Sequence, residues 1–158
     1  MNYTLFLDLD GVLADFENGV LLATGRETGT MSEKVMWPIL ARTKGFYEKL
    51  HWMSDGKLLW DFCKNYEPII ITGLPLGSWA EPQKKAWCHR ELGKDVEVIA
   101  CMTREKPQKA WEVTPEDQIA VLVDDRIKIK EQWEAMGGVF VFHTSAESSI
   151  SQLKALGF

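Results

Sequence analysis

Cysteine is scarce in this chain of 158 residues: Cys63, Cys88 and Cys101 are the only three. An odd count without a Cys-x-x-Cys pair suits neither a closed disulfide framework nor a thiolate zinc site. Cys88 and His89 are adjacent, so on a helix they point about 100° apart and lack the spacing to ligate one metal ion. A reducing, cytoplasmic setting is therefore expected. Basic charge is not in excess either. Eighteen Lys and Arg against 23 Asp and Glu leave a net charge of −5 at pH 7, which disfavours a protein that covers many phosphates of a long nucleic acid. No run approaches the ~20 apolar residues of a membrane span. The apolar N-terminal segment is cut by Asp8 and Asp10 and has no basic residue before it, unlike a signal peptide. Gly25-Arg26-Glu27-Thr28-Gly29 lacks the Gly-Lys-Ser/Thr of a P-loop. His51, His89 and His143 have no evident partners in the sequence, and repeats and low-complexity linkers are missing.

What the chain does have is a core. An apolar fraction of 46% with 26% charged residues is that of a globular domain. Four short apolar runs read as buried strands: Tyr3–Leu7, Ile69–Ile71, Ile119–Val123 and Val139–Phe142. A fifth, Val96–Cys101, is rich in β-formers. Continuous rather than alternating hydrophobicity implies burial on both faces, as in a parallel sheet covered by helices. Helical patterns lie between the strands. Leu58, Leu59, Phe62 and Cys63 make one apolar stripe with Ser54 as candidate N-cap, and Gln83–Leu92 is closed by Gly93. Ile129, Trp133 and Met136 form a third face before Gly137-Gly138. Ile150, Leu153 and Leu156 line a last helix behind a Thr144/Glu147 capping box. This alternation predicts an α/β fold, a Rossmann-like parallel sheet flanked by helices, in one domain over 1–158.

The first two strands are too far apart for one crossover. Val12, Leu13, Phe16, Val20 and Ala23 form a helical face ending near Gly25, Thr30 and Glu33 offer a capping box, and Pro38 is expected to break or restart the helix that follows. Roughly residues 16–50 are read as a small helical cap inserted after the first strand.

The chemistry is concentrated at the ends of the strands, where ligands gather in open α/β sheets. Asp8-Leu9-Asp10-Gly11 ends the first run. Residues two apart lie on one face of a strand, and two carboxylates there repel and are costly to desolvate. A divalent cation such as Mg²⁺ relieves that cost. The other strand ends contribute Thr72-Gly73, Lys106 in Thr103-Arg104-Glu105-Lys106, and Asp124-Asp125. Carboxylates, a hydroxyl and a lysine at one edge suit phosphoryl chemistry: a carboxylate attacks phosphorus, while cation, hydroxyl and lysine offset charge.

Taken in order, Asp-x-Asp, a threonine after the second strand, a lysine and a late acidic pair resemble the four motifs of the haloacid dehalogenase superfamily. Asp8-Leu9-Asp10-Gly11-Val12-Leu13-Ala14-Asp15-Phe16 is especially similar to the 5′(3′)-deoxyribonucleotidase branch, as are Lys84 with Ala86-Trp87, Thr103-Arg104-Glu105-Lys106 and Val123-Asp124-Asp125-Arg126. The resemblance implies Asp8 as nucleophile and Asp10 as general acid and base. It implies Mg²⁺ held by Asp8, the main-chain carbonyl of Asp10 and Asp125, with Asp124 orienting that set. Thr72, Gly73 and Lys106 would bind the phosphoryl group, Lys84 would reach the substrate, and Phe16, Trp37 and Phe46 would flank a base. That branch usually follows the threonine with Ser-Pro, whereas this chain has Gly73-Leu74-Pro75. Gly73 lacks the hydroxyl but leaves its N–H free to approach an oxygen.

The expected partner is one small phosphorylated substrate, a nucleoside monophosphate first. A 3′-phosphatase acting on polynucleotide ends is the alternative, since the stretch from Asp124 to Met136-Gly137 also resembles the phosphatase portion of polynucleotide kinases; the acidic balance opposes it. A phospho-acceptor receiver places its acidic pair on the first strand, the reverse of the order here. Dehalogenation has no use for an acid at Asp10. Base, sugar and oligomeric state stay open at this level.

Overall fold

In the computed structural model, which describes residues 2–158, the apolar runs pair in parallel. The strands are β1 (Tyr3–Leu7), β2 (Ile69–Gly73), β3 (Val98–Cys101), β4 (Ile119–Asp124) and β5 (Val139–Phe142). Their order is β3-β2-β1-β4-β5. The helices are α1 (Phe16–Thr24), α2 (Glu33–Arg42), α3 (Gly56–Cys63), α4 (Ala80–Glu91), α5 (Lys106–Val113), α6 (Lys130–Ala135) and α7 (Ala146–Leu156). This is the expected Rossmann-like α/β fold. No helix among the described residues is long and apolar enough to cross a membrane.

Continuous hydrophobicity has the predicted cause. Along β1, Leu5 and Leu7 enter one core and Phe6 enters the other, and each is at most 1% exposed. The first core also takes Val20, Leu59, Trp87 and Leu153 from α1, α3, α4 and α7; the second takes Ala110 and Trp133 from α5 and α6. Each such large side chain contributes ~1.5–3 kcal/mol on leaving water. That burial holds in place a strand whose next residue is a desolvated carboxylate.

The topology locates the site. β1 lies between β2 and β4. The chain first builds β2 and β3 on one side of β1, then crosses to build β4 and β5 on the other. Connections leave β1 and β4 in opposite directions, which opens a crevice beyond their carboxyl ends.

Several helix starts differ from expectation. α3 begins after Asp55, not Ser54, and the Asp55 carboxylate instead accepts the Ala146 N–H at 2.7 Å, tying α3 to α7. Ser145, not Thr144, caps α7, its hydroxyl accepting from Ser148 N–H. Ser32 precedes α2, so Thr30 and Glu33 form no capping box; the Thr30 hydroxyl donates to Glu27 O. Pro38 neither breaks nor restarts α2, which continues to Arg42 despite the missing N–H. Val12 and Leu13 belong to a turn, because Asp15 caps α1 and starts it at Phe16. His143 does have a partner: its Nδ1 lies 2.7 Å from Ser149 Oγ in the interior.

Candidate active site

Asp8 is still in the ladder, its N–H donating to Val123 O at 2.9 Å. The chain then turns sharply, with Leu9 O accepting the N–H groups of Leu13 and Ala14. Gly11 makes the turn feasible twice over. Its φ is +81°, and a Cβ there would collide with the Asp125 carboxylate. From β4, Asp124 is held at both oxygens: Oδ1 accepts the Arg126 N–H at 2.8 Å, and Oδ2 accepts from Lys106 at 2.9 Å. Lys106 opens α5 and also donates to Asp8 Oδ1 at 2.9 Å. One ammonium therefore ties the end of β1 to the end of β4.

Asp8, Asp124 and Asp125 each offer an oxygen within 4.8 Å of the others. Three carboxylates face one ammonium, so two negative charges are left without a counter-charge when all ionise. The electrostatics register that surplus. Desolvation, Asp8 and Asp124 push the Asp125 carboxyl up to about 8, although the residue itself is exposed. Desolvation and Asp8 raise Asp124 to about 6, against the pull of Lys106. For Lys106, burial works to lower the pKa, but Asp8 and Asp124 outweigh it and keep the ammonium charged. An all-oxygen donor set carrying this surplus fits a hard divalent cation. Oxygens around one Mg²⁺ lie within about 4.2 Å of one another, so the three carboxylates need only small adjustments.

A second lysine organises the other carboxylate. Lys84, on α4 and 1% exposed, donates to Asp10 Oδ2 at 2.7 Å, Thr72 Oγ1 at 3.0 Å and Gly73 O at 2.6 Å. Its ammonium also lies 4.4 Å from the centre of the Tyr47 ring. Every donor of Lys84 is thus engaged by protein, and its geometry is that of a clamp on Asp10, not of an arm reaching for substrate. Asp10 Oδ1 is buried with no hydrogen-bond partner. Desolvation raises the Asp10 pKa, opposed by Lys84 and reinforced by Asp8. A carboxyl so placed retains its proton more readily than a solvated aspartate.

These groups open into a cavity of about 360 Å³ lined at the sheet edge by Asp8, Asp10, Gly73, Lys84, Thr103 and Lys106. Its other side comes from the 16–50 segment: Phe16, Thr28, Met31, Glu33, Met36, Trp37 and Tyr47. Leu74, Pro75 and Arg126 complete the rim. Phe16 and Trp37 are both present, but their ring centres are only 6.0 Å apart with the planes tilted by 39°. They touch each other and form one wall, not two sides of a slot. Phe46 departs from expectation. It is 4% exposed, packs edge-on behind Phe16 and does not line the cavity. Its neighbour Tyr47 does, stacked between Phe16 and Trp79. Thr72 also departs: it is fully buried beneath the cavity, with its hydroxyl engaged by Lys84.

Tyr47, Thr103 and Arg126 are among the residues that line the cavity without being singled out as site residues by the sequence. Thr103 and Arg126 sit inside the motifs that carry the resemblance, which was the available signal; Tyr47 had only its adjacency to Phe46.

No family model and no curated protein matches the chain. Among solved structures, it is similar to a hydrolase from Streptococcus pneumoniae TIGR4 over the full length of both chains, at 14% identity and a TM-score of 0.52. Likeness at that identity establishes a shared fold.

Proposed function

We propose that the protein is a Mg²⁺-dependent phosphomonoesterase of the haloacid dehalogenase type that hydrolyses small phosphate esters, nucleoside monophosphates first among them. The observation that carries this reading is the meeting of Asp8, Asp124 and Asp125 around a surplus of negative charge, with Lys106 bridging two of them beside an open cavity that Asp8 and Lys106 line. The solved hydrolase with the same fold supports hydrolytic chemistry in general terms.

In this reading Asp8 attacks phosphorus. The bond from phosphorus to the ester oxygen breaks as an Asp8–phosphorus bond forms, and Asp10 gives its proton to the departing oxygen. The raised pKa of Asp10 suits it to hold that proton. Asp10, now ionised and paired with Lys84, then takes a proton from water, which displaces Asp8 and releases phosphate. Lys106 keeps Asp8 turned toward the cavity and offsets charge on the transferring oxygens. Asp8, Asp125 and the Asp10 carbonyl would hold Mg²⁺, with Asp124 orienting the set; bound there, the ion neutralises phosphoryl charge and favours in-line geometry. The wall of Phe16, Trp37 and Tyr47 gives one face on which a planar base can rest.

Phosphate release from a panel of 5′- and 3′-nucleoside monophosphates, sugar phosphates and 3′-phosphorylated oligonucleotides tests the proposal. Magnesium-dependent turnover of mononucleotides is expected, and Asp8→Asn should reduce it by several orders of magnitude. Absence of turnover on every ester, or full activity in Asp8→Asn, refutes it.

A further inference from the structure

Donors aimed at the oxygens of a transferring phosphoryl group offset their charge, and the Thr72 hydroxyl at the end of β2 does not face the cavity. Thr72 is 0% exposed, its oxygen accepts from Lys84, and it does not line the cavity. Gly73, which does line the cavity, has no side chain.

The vacant volume at Gly73 is filled from the neighbouring strand. Thr103 follows β3 and begins the short turn Thr103–Glu105 that leads into Lys106. Its Oγ1 lies where a Gly73 Cβ would otherwise be; an added Cβ would collide with that oxygen and sit 3.6 Å from the Thr103 Cβ. The position is rigid. Gly73 is in register with Cys101, Leu74 N–H donates to Cys101 O at 2.8 Å, and Glu105 closes the turn by accepting Met102 N–H at 2.9 Å. Thr103 lines the cavity alongside Asp8, Gly73 and Lys106. Among the described residues its hydroxyl has no hydrogen-bond partner.

Resting on the proposed phosphatase reading, we infer that Thr103, not Thr72, supplies the hydroxyl that binds the phosphoryl group. Thr72 is a positioning residue that acts through Lys84 on Asp10. Gly73 and Thr103 form a complementary pair, in which the missing side chain of one admits the hydroxyl of the other.

The test is calorimetric binding of inorganic phosphate in the presence of Mg²⁺, with thermal melting as a folding control. Thr103→Val should weaken phosphate binding by about tenfold or more, the effect of a lost hydrogen bond to a charged group, while Thr103→Ser stays within about threefold of wild type. Thr72→Val should retain phosphate affinity. Gly73→Ser should weaken binding through its collision with Thr103, and Gly73→Ser combined with Thr103→Ala should restore it, an exchange that a purely structural role would not produce. Unchanged phosphate affinity in Thr103→Val, or a loss confined to Thr72→Val, overturns the inference while leaving the phosphatase reading intact. A wild-type protein that neither binds phosphate nor releases it from any ester overturns both.

Discussion

At the sheet edge, Lys106 and Lys84 are 2% and 1% exposed, and each is fixed by two or more oxygens between 2.6 and 3.0 Å away. On the facing side, the Phe16 ring lies 6.0 Å from those of both Trp37 and Tyr47, and among the described residues only Tyr47 of the three has a cation over its ring, the Lys84 ammonium 4.4 Å from its centre. The first region is over-determined by charge: removing one member leaves others buried without a counter-charge. The second is a surface of dispersion contacts in which each ring adds a little. Substitutions at the edge should therefore abolish chemistry or stability, whereas those in the wall should shift affinity.

Lys106→Met is expected to give the largest effect. It strands Asp8 and Asp124 and should destabilise the protein by ~3–5 kcal/mol near neutral pH, read by chemical denaturation, with partial recovery on acidification as the carboxylates protonate. If its stability matched wild type at pH 7, the two regions would not differ as described.

The pH dependence of the metal-free protein comes next. Asp124 and Asp125 are raised from 3.8 to about 6 and about 8. A folded-state pKa above the unfolded value stabilises the fold fully below the unfolded value and loses that contribution as pH rises through the folded one. Melting temperature should thus fall between about pH 4 and 8, and Mg²⁺ should restore it most at the upper end. Lys84→Met sharpens the edge further. Without its ammonium, Asp10 holds its proton to higher pH, so in the proposed mechanism the step that needs ionised Asp10 should move up the pH axis. Turnover at pH 7 should drop by about ten- to hundredfold, with the shift in the pH–rate profile separating this from misfolding.

Trp37→Ala is the smallest. It should raise KM for a nucleotide by about tenfold and leave kcat within about threefold. A collapse of kcat would mean that the wall takes part in chemistry.

The same contrast explains what could be read from the residues alone. Strands β1 and β4 were legible because Leu5-Phe6-Leu7 and Val121-Leu122-Val123 have no polar face to offer solvent. That Asp8, Asp124, Asp125 and Lys106 would meet at one edge was legible because desolvated charges at strand ends need one another. Adjacent residues of similar chemistry were not separable. Asp55 stands at the start of α3 in place of Ser54, and its carboxylate serves α7 by accepting the N–H of Ala146, 91 residues away. Tyr47 displaced Phe46 because two consecutive rings point in different directions and only tertiary packing decides which meets the cavity. Thr72 stands at the end of β2 and Thr103 just after β3; the reach of Lys84, invisible in the chain order, determines which hydroxyl is occupied.

Titration of the protein with Mg²⁺, followed by calorimetry at pH 7.5, tests the central claim most directly. One ion per chain should bind to the wild type, with at least about tenfold weaker binding in Asp125→Asn and release of protons on binding. Failure of the wild type to bind Mg²⁺, or equal affinity in Asp125→Asn, would contradict the convergence of these carboxylates on a cation.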